Sequence, residues 1–172
     1  MTTSSQEAAL RALRDLHGEV DRDAARLAAH HESRIHCARG CADCCVDDLT
    51  VFEVEAENIR ERFPAVLAEN RPHPPGRCAF LDSDGACRIY EARPYVCRTQ
   101  GLPLLGFTET PEGEITESRD ICPLNAEGEP LDALPHAEMW LLGTVELRLQ
   151  RVQAGFGDPD DRVALRDLLP GV

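Results

Sequence analysis

The stretch Cys37-Ala-Arg-Gly-Cys41-Ala-Asp-Cys44-Cys45 concentrates half of the chain's eight cysteines in nine positions. Three thiols at C-x3-C-x2-C spacing, followed at once by a fourth, can converge on one soft cation or cluster, because thiolate is the preferred ligand of zinc and iron-sulfur centres. Cys78, Cys87, Cys97 and Cys122 stand apart in the chain and complete one or two sites only if it folds back on the loop. The expected ligand set is therefore all eight cysteines, and the expected cofactor is zinc or an iron-sulfur cluster. Arg39, Arg77, Arg88 and Arg98 each lie next to a cysteine or two residues from one, where a guanidinium can offset the charge that several thiolates bring. Burial as small hydrophobes does not account for so dense a cluster. A disulfide framework would need an oxidising compartment.

On the N-terminal side of this loop, residues 4–36 predict one long amphipathic helix. Leu10, Leu13, Leu16, Val20, Ala24, Leu27 and His31 recur at three- and four-residue steps, and Ser4 with Glu7 has capping-box spacing. On the C-terminal side, Thr50 with Glu53 makes a second capping box before Phe52, Ala56, Ile59 and Phe63, a stripe that Pro64 ends or kinks. The proline-rich stretch 71–77 reads as a loop. Cys78–Leu81 and Ala86–Tyr90 flank Asp82-Ser-Asp-Gly85, which predicts a hairpin. From Thr99 to Pro135 five prolines interrupt any periodicity, and Cys122 is the candidate that pins this stretch. Residues 136–154 predict a helix carrying Trp140, Leu141, Val145, Leu149 and Val152, and Asp158-Pro159 opens a last short helix with Val163, Leu165, Leu168 and Leu169. The fold class expected is mainly α with a short β-hairpin, a small domain organised around a cysteine-bound metal centre. It is expected to be a single domain over 1–172, with a metal-binding core at 37–122 and flanking helices at 4–36 and 136–169.

The 172 residues, 42% of them hydrophobic, suffice for one such domain. Acidic residues number 31 against 18 basic ones, a formal charge of -13, and aromatics are 5%, so a nucleic-acid partner is not expected. Every basic residue is Arg, which excludes lysine Schiff bases and P-loop lysines. No apolar run approaches the length of a membrane helix, and MTTSSQEAAL lacks the order of a signal peptide. The expectation is a cytoplasmic protein with no membrane partner and with reduced cysteines, whose partner is the metal ion, with room for a protein partner that the sequence does not specify.

Together, Cys37-Ala-Arg-Gly-Cys41-Ala-Asp-Cys44-Cys45, Leu49-Thr50 with Glu55-Ala56, Cys78-Ala-Phe-Leu81 and Gly85-Ala-Cys87-Arg-Ile-Tyr90-Glu-Ala-Arg-Pro94-Tyr-Val-Cys97-Arg98 resemble the YkgJ-type cysteine-cluster proteins, described as zinc- or iron-chelating. The resemblance covers about residues 37 to 122. It implies a bacterial metal-binding domain whose ligands are these cysteines. A similar cluster in flagellin lysine methylases implies an iron-sulfur enzyme role for some relatives. The first gap here is three residues where the family's usual spacing is two.

The same Cys37, Cys41, Cys44 spacing coincides with the radical-SAM signature, but the chain lacks the strand-helix alternation of those barrels. Cys41-Ala-Asp-Cys44 likewise lacks the flanking pattern of a thioredoxin-type pair. His30, His31 and His36, and then His73 and His136, are weaker ligand candidates. Asp43, Asp47 and Asp48 read as a solvated acidic loop, and Asp82, Asp84 and Gly85 as a turn rather than a calcium loop. Three functional readings follow: a metal-binding protein, structural or a metal-handling accessory factor; an iron-sulfur or metal-dependent enzyme with an open site near Asp43 and segment 88–98; and an interaction module using the outer faces of the terminal helices. An extended backbone at Cys44-Cys45 would point the two sulfurs to opposite faces, which predicts two metal centres or one binuclear centre, the alternative being a single site that leaves several cysteines free.

Overall fold

A computed structural model describes residues 3–169. Helix α1 spans Thr3–His30, and its stripe is buried as the periodicity predicts, with Leu13, Leu16 and Val20 almost wholly enclosed. The stripe packs against α5, Thr144–Phe156, and the shared apolar cluster takes in Phe52, Val54, Tyr95, Leu102, Trp140 and Leu149. Ser5 Oγ donates to the Gly155 carbonyl, and Arg148 pairs with Glu19, which fixes the two helices side by side. Gly18 leaves α1 unbroken.

The helix stops at His30, six residues short of the expected end, because the next side chains are held elsewhere. His31 Nε2 donates to the Glu138 carbonyl at 2.7 Å. Buried Arg34 donates to the carbonyls of Glu127 and Glu129. The chain thus turns out of the helix and enters the cysteine loop.

After that loop come β1, Thr50–Phe52, then α2, Glu53–Arg62, and α3, Pro64–Glu69. The second capping box is displaced: Thr50 lies in β1, which pairs antiparallel with β5, Arg162–Ala164, and Glu55 reaches back to the Phe52 amide at 3.3 Å. Pro64 opens α3, where its missing N–H is harmless. The hairpin expected over 78–90 is reduced to one bridge, Leu81 with Cys87. Asp82 Oδ1 accepts the amides of Asp84 and Ala86, so a side chain closes this turn and no ladder extends from it.

The hairpin lies instead in the stretch expected to be irregular. Past the short α4, Tyr95–Arg98, strands β2, Leu104–Glu109, and β3, Ile115–Asp120, pair antiparallel. Strand β4, Trp140–Leu141, adds parallel to β2 and gives the order β3-β2-β4. The helix expected from 136 begins only at Thr144, because Gly143 sits at φ +95°, outside helical space. The last helix expected from Asp158 is replaced by β5 and a 3-10 turn, Leu165–Leu168. Among the described residues, five α-helices with two small sheets make a mixed α and β architecture, consistent with the small domain expected. A second apolar cluster, around Ile59, Phe80, Ile89 and Leu169, encloses Cys78. Among the described residues, no helix is long and apolar enough to cross a membrane.

Candidate metal centre

The cysteine loop has no helix or strand, and turns give it shape. The Cys41 amide donates to the Ala38 carbonyl and the Cys45 amide to the Ala42 carbonyl, both at 3.0 Å. Gly40 and Gly85 allow two backbones to touch: a Cβ on Gly85 would lie 2.9 Å from the Gly40 carbonyl oxygen, and both residues have positive φ. Arg166 fastens the loop from the C-terminal side, bonding Asp47 and the carbonyls of His73 and Arg77. The amide of Gly76 and the Arg166 guanidinium hold the Asp47 carboxyl below the usual carboxylate range.

Cys37 and Cys122 are brought together by Asn125, which is wholly buried. Its Nδ2 donates to Cys37 Sγ at 3.4 Å and to the Gly101 carbonyl at 2.8 Å, its Oδ1 accepts the His36 amide, and its own amide donates to the Cys122 carbonyl. Cys37 as a residue is exposed, yet burial of its sulfur pushes the thiol up, with Cys41, Cys44 and Cys122 near enough to add to the effect. A Cβ on Gly101 would sit 2.5 Å from that sulfur, so only glycine leaves room there, and its φ of +93° also favours glycine. Gly101→Ala is expected to cost about 1–2 kcal/mol from the left-handed backbone alone and to displace the Cys37 thiol. A lower melting temperature with reduced zinc content would check it.

The other thiols sit deeper. The Cys78 amide donates to the Cys45 carbonyl at 3.0 Å, and Cys45 and Cys87 pack against the apolar cluster that contains Cys78. Burial pushes Cys78 and Cys87 up, and pushes Cys97 up to about 12, where Cys78 and Cys87 reinforce it. Cys44 and Cys45 share a side-chain hydrogen bond, which lowers the Cys44 thiol to about 6 and raises Cys45. The two residues stand at a turn closed by the Cys45 amide on the Ala42 carbonyl, not on an extended backbone.

Helix α4, which carries Cys97, is tied to α1 and α2. Glu55 of α2, 4% exposed, accepts the Tyr95 amide at 2.8 Å and faces His17 of α1 at 3.4 Å. Arg98 and Arg93 both pair with Asp21 of α1.

All eight cysteines are free thiols, and none is paired in a disulfide. Among the described residues, no three His, Cys, Asp or Glu side chains meet at a single ligand point. None of the five candidate histidines is hydrogen-bonded to a cysteine: His30 and His136 face Glu138 and Glu117, His31 and His73 bond carbonyls, and His36 uses its backbone amide. Of the four cysteine-neighbouring arginines, Arg88 bears on a thiol, Cys87, together with Arg93, while Arg98 serves Asp21 and the Arg77 carbonyl serves Arg166. Asp43 is exposed beside Cys44, and Asp82 closes a turn as expected. Sequence spacing missed Asn125 and Gly101, and Glu55 entered only through the resemblance with no role attached, since only the folded chain puts an amide, a missing side chain and a buried carboxylate against the cysteine segments.

No curated protein and no solved structure matches the chain. Residues 36–123, about half its length, match the family CxxCxxCC, described as "Putative zinc- or iron-chelating domain". With its cysteine loop and the four distal thiols all inside that span, the chain belongs to the CxxCxxCC family.

Proposed function

We propose that the protein binds zinc or iron, the latter as ions or an iron-sulfur cluster, through Cys37, Cys41, Cys44, Cys45, Cys78, Cys87, Cys97 and Cys122, and acts as a metal-handling or accessory factor. The observation that carries this reading is the return of the chain to the cysteine loop, where the Cys78 amide bonds the Cys45 carbonyl and Asn125 bonds both the Cys37 sulfur and the Cys122 carbonyl. The donor set fits: thiolates favour zinc and iron-sulfur centres. Room is left for a ligating sulfur at Cys37, where Gly101 has no Cβ. When bound, such a group supplies structural cross-linking, or electron transfer in the iron-sulfur case. Rotation about one side-chain bond is what each cysteine has available to bring its sulfur to the metal.

Arg93 and Arg98, which an enzyme site would use on an anionic substrate, are committed to Asp21, and this favours the accessory reading over a catalytic one. A cytoplasmic, bacterial setting belongs to the same proposal, since free thiols in this number call for a reducing compartment. Anaerobic purification with metal and acid-labile sulfide analysis tests it. Zinc or iron bound in stoichiometric amount is expected, brown colour with sulfide marking the cluster. Protein that is folded, fully reduced and devoid of zinc and iron, and that takes up neither, would overturn it.

A further inference from the structure

Strand β3 lies at the edge of its sheet, with β2 on one side and, among the described residues, no strand on the other. The hairpin fixes which of its backbone groups face outward. The Thr110 amide donates to the Glu114 carbonyl at 2.8 Å, and from there opposed residues alternate between pairs that exchange hydrogen bonds and pairs that do not. Thr116 and Ser118 thus bond β2. The far side of β2 gives the same phase: Leu105 accepts the Leu142 amide and so faces β4, and Arg119, opposite Leu105, faces away from β2. The amides and carbonyls of Ile115, Glu117 and Arg119 therefore point outward, and among the described residues they have no backbone partner.

Exposed edges of natural sheets are blunted by proline, lysine, a bulge or a covering loop. Strand β3 contains neither proline nor lysine, its register with β2 runs one to one, and every residue in it except Arg119 is exposed. Its charges are tied down to one face: Arg119 donates to the carbonyls of Leu131 and Leu134 and pairs with Glu117, which also meets His136.

The chemistry at this edge selects what adds to it. Residues 104–120 carry Glu109, Glu112, Glu114, Glu117 and Asp120 against a single base, Arg119. Among the described residues the ion pairs of the hairpin are those of Glu117, which leaves the three carboxylates at the tip without a cation. Ile115 is 66% exposed, and Phe107, its diagonal neighbour on the same face, is 48% exposed. A second copy of this chain, with a formal charge of -13 and the same carboxylates, is repelled from such an edge.

We propose that the outer edge of β3 receives an extended, basic segment of another protein, which adds to the sheet as a further strand. Its backbone bonds Ile115, Glu117 and Arg119, an apolar side chain covers Ile115, and Arg or Lys meets the carboxylates of the tip. No cysteine lies in β2 or β3, so this edge is built without the thiols.

The test titrates the full, isotope-labelled chain with a capped heptapeptide that alternates Val and Arg. With the peptide at ten times its Kd, amide exchange at Ile115, Glu117 and Arg119 should slow about tenfold, while Thr116 and Ser118, already bonded to β2, change less. A counterpart with Glu in place of Arg should not bind. Glu117→Pro removes an outward amide and no bond to β2, so the hairpin should persist and the peptide should bind about tenfold more weakly. Glu117→Gln keeps that amide and should stay within about threefold of the unsubstituted chain. Should Glu117→Pro fail to fold, the alternating protection in the unsubstituted chain still decides the question. Uniform protection over 115–120, protection centred instead on the cleft of Glu7, Glu53 and Glu57, equal binding of the Glu peptide or no binding at millimolar peptide overturns the proposal. Self-association of the chain with the same alternating protection also overturns it, because the occupant is then a second copy.

Discussion

Stripped of metal under anaerobic, reducing conditions, the protein is expected to lose amide protection over 37–49 and 78–122 while α1 and α5 keep theirs. Between the end of α3 and the start of β2, the longest regular element is four residues, α4, and the cysteine loop has none. These segments are shaped by single turn bonds and by what the thiols hold. Cysteine ligation of a structural metal contributes about 10 kcal/mol or more, as much as the whole stability of an ordinary domain, so its removal should outweigh the apolar cluster around Phe80. The α1–α5 cluster contains no cysteine and should survive. Hydrogen exchange of apo and loaded protein, followed peptide by peptide, gives the answer. Equal protection of both forms across 78–122 would refute metal-dependent folding.

Glu55→Ala should lower stability by about 3 kcal/mol, a drop in melting temperature of about 9 °C for a chain of this size. The carboxylate accepts the amides that begin α2 and α4, at 3.3 and 2.8 Å, and lies against His17 in a place without water access. Removing it strands two buried N–H groups, each worth about 1–3 kcal/mol. Glu55→Gln, which keeps one acceptor oxygen, should recover about half of the loss. Thermal melts of the metal-loaded variants would measure both. A change in Glu55→Ala below about 1 kcal/mol would mean that the amides find other partners.

Legibility in the sequence followed burial. The α1 stripe was readable because one face of a long helix is enclosed, and each of Leu10, Leu13, Leu16, Val20 and Ala24 reports it. The β2–β3 hairpin was not, because β3 is almost entirely exposed and carries no apolar alternation. Its one signal was Thr110-Pro-Glu-Gly113 between β-branched residues, where Gly113 donates to the Thr110 carbonyl at 2.9 Å and turns the chain. Trp140 and Leu141 have helical spacing with Val145, but Gly143 intervenes and hands them to a sheet. The cysteine positions were legible as a set; their grouping was not, since Asn125 and the Cys78–Cys45 backbone bond exist only after the chain has folded back.

The side-by-side packing of α1 and α5 joins segments 150 positions apart: Ser5 meets Gly155, and Glu19 meets Arg148. During synthesis α1 emerges long before its helical partner. Until residues 144–156 follow, the stripe from Leu10 to Ala24 has only Phe52, Val54, Tyr95, Leu102 and Trp140 to lie against. A nascent chain in that condition is a client for hydrophobe-binding chaperones. Any product cut short before residue 144 lacks Leu149 and Phe156 and keeps part of the stripe uncovered, so truncated copies should aggregate or be degraded even when all eight cysteines are present.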